Sequence, residues 1–251
     1  MRFIFCLSGL LAYNMVHAGI MPASSRVIYL EKNKEQSLLL ANSNDYPIIT
    51  QTWVDGGTGN LDQAKAPFVV LPPIFKMNPK GLQAIRLVHN GDAMPQDRES
   101  VYWLNLYEIP GKIPEKNQPM TDHQARLDVS MNTQLKVFYR PAALKKMSVE
   151  QITAQLKFTV QQHQAQWLII CQNPTPYQVS FTKIQLRDGQ QTMDVAKHMD
   201  MMTPALSYRA YQLEQQPAVE RVEQIEFTLL DDSGHLRKGV FDFKTQVTQL
   251  K

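Results

Sequence analysis

Arg126-Leu127-Asp128-Val129-Ser130-Met131-Asn132-Thr133-Gln134-Leu135-Lys136-Val137-Phe138-Tyr139-Arg140-Pro141 alternates with a period of two. Leu127, Val129, Met131, Thr133, Leu135 and Val137 fall on one face, and Arg126, Asp128, Ser130, Asn132, Gln134 and Lys136 on the other. Successive side chains of an extended chain point to opposite sides, so the pattern reads as one long β-strand. Pro141 ends it, because proline has no N–H to give to a ladder.

The same reading extends outward in both directions. Upstream, residues 27–30, 37–40, 48–54, 68–71, 83–88 and 101–107 are rich in β-branched, aromatic and aliphatic residues. They are separated by turn-forming runs such as Asn42-Ser43-Asn44-Asp45. Gly56-Gly57-Thr58-Gly59 lacks a following helix that would make it a phosphate loop, and reads as a hairpin turn. Residues 111–124 are polar and broken by proline, which suggests a long loop. No amphipathic helix intervenes, so the first half reads as an antiparallel sandwich. Residues 142–149 read as a link. The pattern then starts again, with strands expected at 156–160, 167–171, 178–186, 208–213, 225–230 and 240–247 and turns at Asn173-Pro174-Thr175-Pro176 and Asp231-Asp232-Ser233-Gly234. The expected fold is all-β, two sandwiches in tandem.

Composition narrows the function. The chain has 251 residues, 43% hydrophobic and 20% charged, an ordinary globular balance. Lys plus Arg is 26 against 23 for Asp plus Glu, too even a balance to indicate a nucleic-acid partner. Beyond the N-terminus no apolar run is long enough to span a bilayer, so no membrane insertion is expected. Residues 1–18 have the layout of a secretory leader: Arg2, an apolar stretch, then Val16-His17-Ala18 with a small residue at the cut. Removing them takes Cys6 and leaves Cys171 alone, so the mature fold has no internal disulfide and Cys171 reads as a buried, inert thiol. There is no G-x-S-x-G, H-E-x-x-H, Walker loop or C-x-x-C, and the six histidines form no i, i+4 pair. No enzyme activity, metal or cofactor is indicated.

Met94-Pro95-Gln96-Asp97-Arg98-Glu99-Ser100-Val101-Tyr102-Trp103-Leu104-Asn105-Leu106-Tyr107-Glu108-Ile109-Pro110 closely resembles the signature of the periplasmic pilus (fimbrial) assembly chaperones, the PapD-like family of the chaperone/usher pathway. Ser25-Arg26-Val27-Ile28-Tyr29, Gln51-Thr52-Trp53-Val54-Asp55, Pro67-Phe68-Val69-Val70-Leu71-Pro72-Pro73, Lys136-Val137-Phe138-Tyr139-Arg140-Pro141 and Asn173-Pro174-Thr175-Pro176-Tyr177 are similar to family segments in the family's order. The resemblance implies two immunoglobulin-like domains, residues 19–142 and 143–251, set as a boomerang around a cleft. It implies a periplasmic protein that captures pilus or fimbrial subunits by donor-strand complementation and passes them to an outer-membrane usher.

Site roles follow from the same resemblance. Arg26 and Lys136 match positions that bind the subunit's C-terminal carboxylate; Leu127, Val129 and Met131 match the hydrophobic donors; and Glu99, Arg140 and Asp232 match an interdomain salt-bridge network. Three donors before Thr133 favour the short-loop subclass, while the length of 111–124 points the other way, so the subclass stays open. An exposed apolar edge also invites self-association, so a self-capped homo-oligomer is among the expected free states. The alternatives are a β-sandwich subunit or adhesin of a surface fibre, and a periplasmic enzyme or solute-binding protein. The first domain looks complete, unlike a fibre subunit, and neither a catalytic cluster nor α/β alternation supports the second.

Overall fold

The computed structural model describes residues 19–63, 65–111, 129–189, 191–217 and 222–251. The expected leader, most of the 111–124 loop and the start of the long strand, Leu127 included, lie outside these residues.

Among the described residues nine strands build the first sandwich: β1 (Ile20–Pro22), β2 (Arg26–Leu30), β3 (Gln36–Asn42), β4 (Ile48–Asp55), β5 (Phe68–Leu71), β6 (Ile74–Met77), β7 (Leu82–His89), β8 (Ser100–Pro110) and β9 (Met131–Arg140). One sheet runs β1-β3-β7-β5 and the other β2-β9-β8-β4-β6. Alternation places Leu38 and Leu40 of β3, Ile85 and Leu87 of β7, Leu104 and Leu106 of β8, and Leu135 and Val137 of β9 in the core between the sheets.

The second sandwich holds β10 (Lys157–His163), β11 (Gln166–Asn173), β12 (Val179–Asp188), β13 (Gln191–Asp194), β14 (Met202–Thr203), β15 (Ser207–Gln212), β16 (Val222–Leu230), β17 (Leu236–Asp242) and β18 (Val247–Leu250). Its sheets are β10-β11-β15 and β13-β12-β16-β17-β18, with β14 also on β12. Phe158 anchors this core, with ring centroids 5.4 Å from Phe227, 5.6 Å from Phe241 and 6.3 Å from Phe181.

Four readings of the sequence are corrected. The first sandwich is not wholly antiparallel, because β2 pairs parallel to β9 with Arg26 opposite Lys136 and Leu30 opposite Arg140. The chain leaves β1 in one sheet and enters β2 in the other, and that crossing sets the direction of β2. The glycine run after β4 is not a hairpin turn: Asp55 Oδ1 takes the Gly57 N–H at 2.6 Å, and the loop carries the chain through a 3₁₀ turn at Leu61–Gln63 to β5 in the opposite sheet. Residues 240–247 are not one strand either. Asp242 Oδ1 accepts the N–H of Lys244 at 2.8 Å and of Thr245 at 2.9 Å, which turns the chain between β17 and β18. The link ends at Ser148, where a reciprocal cap with Gln151 starts the short helix α1 (Val149–Thr153).

Among the described residues no helix is long and apolar enough to cross a membrane, and no cluster of His, Cys, Asp and Glu is suited to a metal ion. Cys171 is fully buried on β11, and burial pushes its thiol up to about 12. Native protein treated with a maleimide at pH 8 is therefore expected to stay unlabelled at Cys171 by peptide mass mapping, with complete labelling in urea. Labelling at equal rates in both states would contradict this packing.

Candidate interdomain cleft and open strand edge

The β2–β9 ladder ends abruptly. Its register covers Lys136 to Arg140 of β9 and stops at the Arg26–Lys136 pair. Toward Met131, β9 stays paired to β8 on one side, with Leu135 opposite Leu104 and Met131 opposite Glu108. Among the described residues no strand covers its other side from Met131 to Leu135. Along this open edge the core-facing row loses its cover step by step: Val137 is 0% exposed, Leu135 6%, Met131 49% and Val129 58%. Both described members of the expected donor row are thus apolar side chains standing in solvent beside unpaired backbone.

Two cations close the covered end of that edge. The parallel register makes Arg26 and Lys136 direct neighbours. Arg26 is only 8% exposed, and its guanidinium donates to the Leu230 carbonyl at 3.3 Å and lies 5.6 Å over the Phe138 ring. Its Nε is buried, and among the described residues nothing accepts from it. Lys136 pairs with Asp200, which also accepts from Arg209 at 3.1 Å. Burial pulls Arg26 below the usual arginine range against the carboxylates of Asp232, Asp231 and Glu99, and it pulls Lys136 below the usual lysine range against Asp200. Ser25, Phe181, His198 and Leu230 line the cleft around the two cations. Two partly desolvated cations side by side form the kind of donor set that a carboxylate accepts from.

The third expected group also comes together across the sandwiches. Arg140 Nε donates to Glu99 Oε1 at 2.6 Å, and its two terminal nitrogens donate to Asp232 at 2.8 and 3.0 Å. Glu99 is 2% exposed, and its Oε2 takes the Gln178 N–H at 2.8 Å. Burial opposes charge on Glu99 and lifts its pKa, with Arg140 and Gln178 pulling the other way. Burial would also lower Arg140, but its bonds to Asp232 and the charge of Glu99 outweigh that and raise it. Its guanidinium lies 4.9 Å over the Tyr177 ring. The turn carrying Asp232 rests on the first sandwich, since a Cβ at Gly234 would stand 2.5 Å from Ser25 Oγ.

Sequence reasoning missed Asp200, Arg209, Gln178 and Leu230. Gln178 follows the Asn173-Pro174-Thr175-Pro176-Tyr177 run and was within reach: Glu99 N–H donates to Pro176 O at 2.9 Å and Gln178 Nε2 donates to Glu99 O at 2.9 Å. Leu230 acts through its carbonyl, so no side-chain signal exists for it. Asp200 lies in an irregular stretch between β13 and β14 that carries no periodic signal.

The family of this arrangement is shown by comparison. Residues 19–145 match the N-terminal domain of PapD, described as a pili and flagellar-assembly chaperone, and residues 151–241 match the C-terminal domain of the pili assembly chaperone PapD. The chain belongs to that family. It is 32% identical over 239 residues to the chaperone protein LpfB of Salmonella typhimurium, covering 93% of this chain and 94% of that one. It is 34% identical over 185 residues to the probable fimbrial chaperone LpfB of Escherichia coli O157:H7, covering 73% of this chain and 74% of that one. The solved YadV chaperone matches with a TM-score of 0.72 at 25% identity, over 89% of this chain and 99% of that one. The fold is therefore the all-β pair of immunoglobulin-like sandwiches found in the pilus chaperones.

Arg140→Ala should destabilise the protein by about 3–5 kcal/mol in urea unfolding, because it strands the buried Glu99 charge. Asp232→Ala should cost under about 1 kcal/mol, since that carboxylate is 60% exposed. Equal costs would refute the assignment of Glu99 as the buried partner.

Proposed function

We propose that this chain is a periplasmic chaperone that lends its β9 strand to incomplete pilus or fimbrial subunits and passes them to an outer-membrane usher, without catalysing any reaction. The observation that carries the reading is the unpaired edge of β9 running from Met131 to the Arg26–Lys136 pair. A guest strand on this edge gains main-chain ladder bonds whatever its sequence. Its own open core receives Val129 and Met131, and Leu127 belongs to the same row. Each buried side chain contributes about 1.5–3 kcal/mol before ordering costs.

The anchor dictates direction. A C-terminal carboxylate held by Arg26 and Lys136 puts the guest's last residue beside Lys136, so the guest strand runs parallel to β9 and end to end with β2. Lys136 has three N–H donors and can keep Asp200 while serving the guest. The anchor also sets register, and a slip of one residue would turn the donor row away from the guest's core. In this reading residues 19–142 form the donor domain, residues 143–251 the second domain, and Glu99, Arg140 and Asp232 hold the two at one angle. Export behind the leader at residues 1–18 places the protein in the periplasm.

The relatives named as fimbrial chaperones support this reading. A fibre subunit would leave a groove in its own core, whereas Leu40, Ile85, Leu87, Leu104, Leu106 and Val137 are all 0% exposed. Co-expression with a fimbrial subunit tests the proposal. Arg26→Met with Lys136→Met is expected to leave a folded chaperone while recovered soluble subunit falls at least about tenfold, the loss of one to two charge-assisted hydrogen bonds. Undiminished recovery would sink the anchor. Val129→Ser with Met131→Ser should reduce subunit capture and leave thermal unfolding nearly unchanged, because both side chains already face water. A large loss of stability would make them core residues instead.

A further inference from the structure

Gly19 sits against a buried carboxylate at the end of the sandwich far from the anchor pair's chemistry. Glu108, on β8, is 4% exposed. Its Oε2 accepts the Ile20 N–H at 2.9 Å, and its Oε1 accepts the Asn44 side-chain amide at 2.7 Å. The Gly19 N–H donates to Asn44 Oδ1 at 3.0 Å, and the Gly19 carbonyl accepts the Ser43 hydroxyl at 2.7 Å. Gly19 has a φ of +117°, and a Cβ built there would lie 3.4 Å from Glu108 Oε2. The backbone of Gly19 therefore rests directly on the Glu108 carboxylate. The Ile20 N–H and the Asn44 amide are neutral donors, and among the described residues no cation pairs with Glu108. Lys80, the nearby lysine, serves Asp45 and the Ser43 carbonyl instead. A carboxylate buried with neutral donors alone leaves its charge uncompensated.

We propose that Glu108 is the receptor for the chain's own new N-terminus, pairing with the α-ammonium that appears on Gly19 when an endopeptidase removes residues 1–18. Water adds across the Ala18–Gly19 peptide bond. The carboxyl group stays on Ala18, and the freed amine of Gly19 takes up a proton. Before the cut, Gly19 offers one uncharged N–H, already given to Asn44. After it, the ammonium keeps that bond and has two further N–H groups to turn toward Glu108. The cut thus supplies the missing charge at the site where β1 is tied to β8, so the first sandwich tightens on maturation. This rests on cleavage after Ala18 and is independent of the carboxylate anchor. Besides the ammonium, the charged or titratable groups around the site are Glu108, Asp45, Lys80 and Tyr46, and burial pushes Tyr46 above its ordinary range.

The protein exported with its own leader supplies the test. Intact mass identifies the first residue, and acylation of the α-amine between pH 6 and 10, read by peptide mass spectrometry, reports its protonation. The expected first residue is Gly19. Half-labelling is expected at least about one pH unit higher in the native protein than in Glu108→Gln, whose amine should behave as an ordinary α-amine near about 8. Equal labelling profiles or a different first residue would overturn the proposal. Should Glu108→Gln fail to fold, a chain that keeps Ala18 as its first residue serves in its place. Its folding equilibrium constant is expected to be about tenfold lower than that of the chain starting at Gly19, matching one unit of linkage, and equal stabilities would refute the pairing.

Discussion

The molecule depends on a ladder that stops halfway. β2 covers five residues of the ten in β9 and ends on the Arg26–Lys136 pair. Sheet edges are normally shortened, twisted away or charged, because unpaired N–H and C=O groups recruit other strands. Here the edge stays open and is marked at one end by two cations that burial has partly stripped of water. The edge and the cation pair are therefore continuous: the backbone groups along Met131 to Leu135 offer ladder hydrogen bonds whatever the partner's side chains, and the charged pair stands where β2 closes that edge.

The second sandwich completes the site by contacts that reach β2, β9 and Glu99, the residue just before β8. Leu230 takes a hydrogen bond from Arg26, Asp200 pairs with Lys136, and Gln178 and Asp232 clasp Glu99 and Arg140. These contacts differ in energetic weight. Glu99 is wholly buried and depends on its partners, while Asp232 faces water and contributes through geometry more than through net stability. Arg26 and Lys136 are therefore oriented by main-chain and side-chain acceptors that lie outside their own sheet.

Much of this was legible in the sequence, because β-strand alternation is a local signal. The row from Leu127 to Val137 read as one long strand, which the structure describes as β9 from Met131 onward, and the family resemblance that rests on the Asp97-Arg98-Glu99-Ser100 run pointed to Glu99, Arg140 and Asp232 as one group. What stayed hidden depended on non-local pairing. Nothing in Arg26-Val27-Ile28-Tyr29-Leu30 tells a parallel partner from an antiparallel one. The glycines after β4 look like a hairpin because the sequence does not reveal that β5 joins the other sheet. Asp200 has no periodic context, and α1 is too short for a helical repeat to register, so only its Ser148–Gln151 cap could have betrayed it.

The crossing from β1 to β2 has one more implication. Ala23 still donates to Leu39 in the first sheet, and Arg26 already pairs in the second, so only Ser24 and Ser25 are free to bridge the gap. Ser24 turns the chain between the sheets: its Oγ accepts the Arg26 N–H at 3.3 Å and donates to the Arg26 carbonyl at 2.6 Å. One hydroxyl thus holds both backbone groups of Arg26 where β2 begins, and a corner of only two serines leaves no slack to absorb a deletion without moving the guanidinium out of line with Lys136.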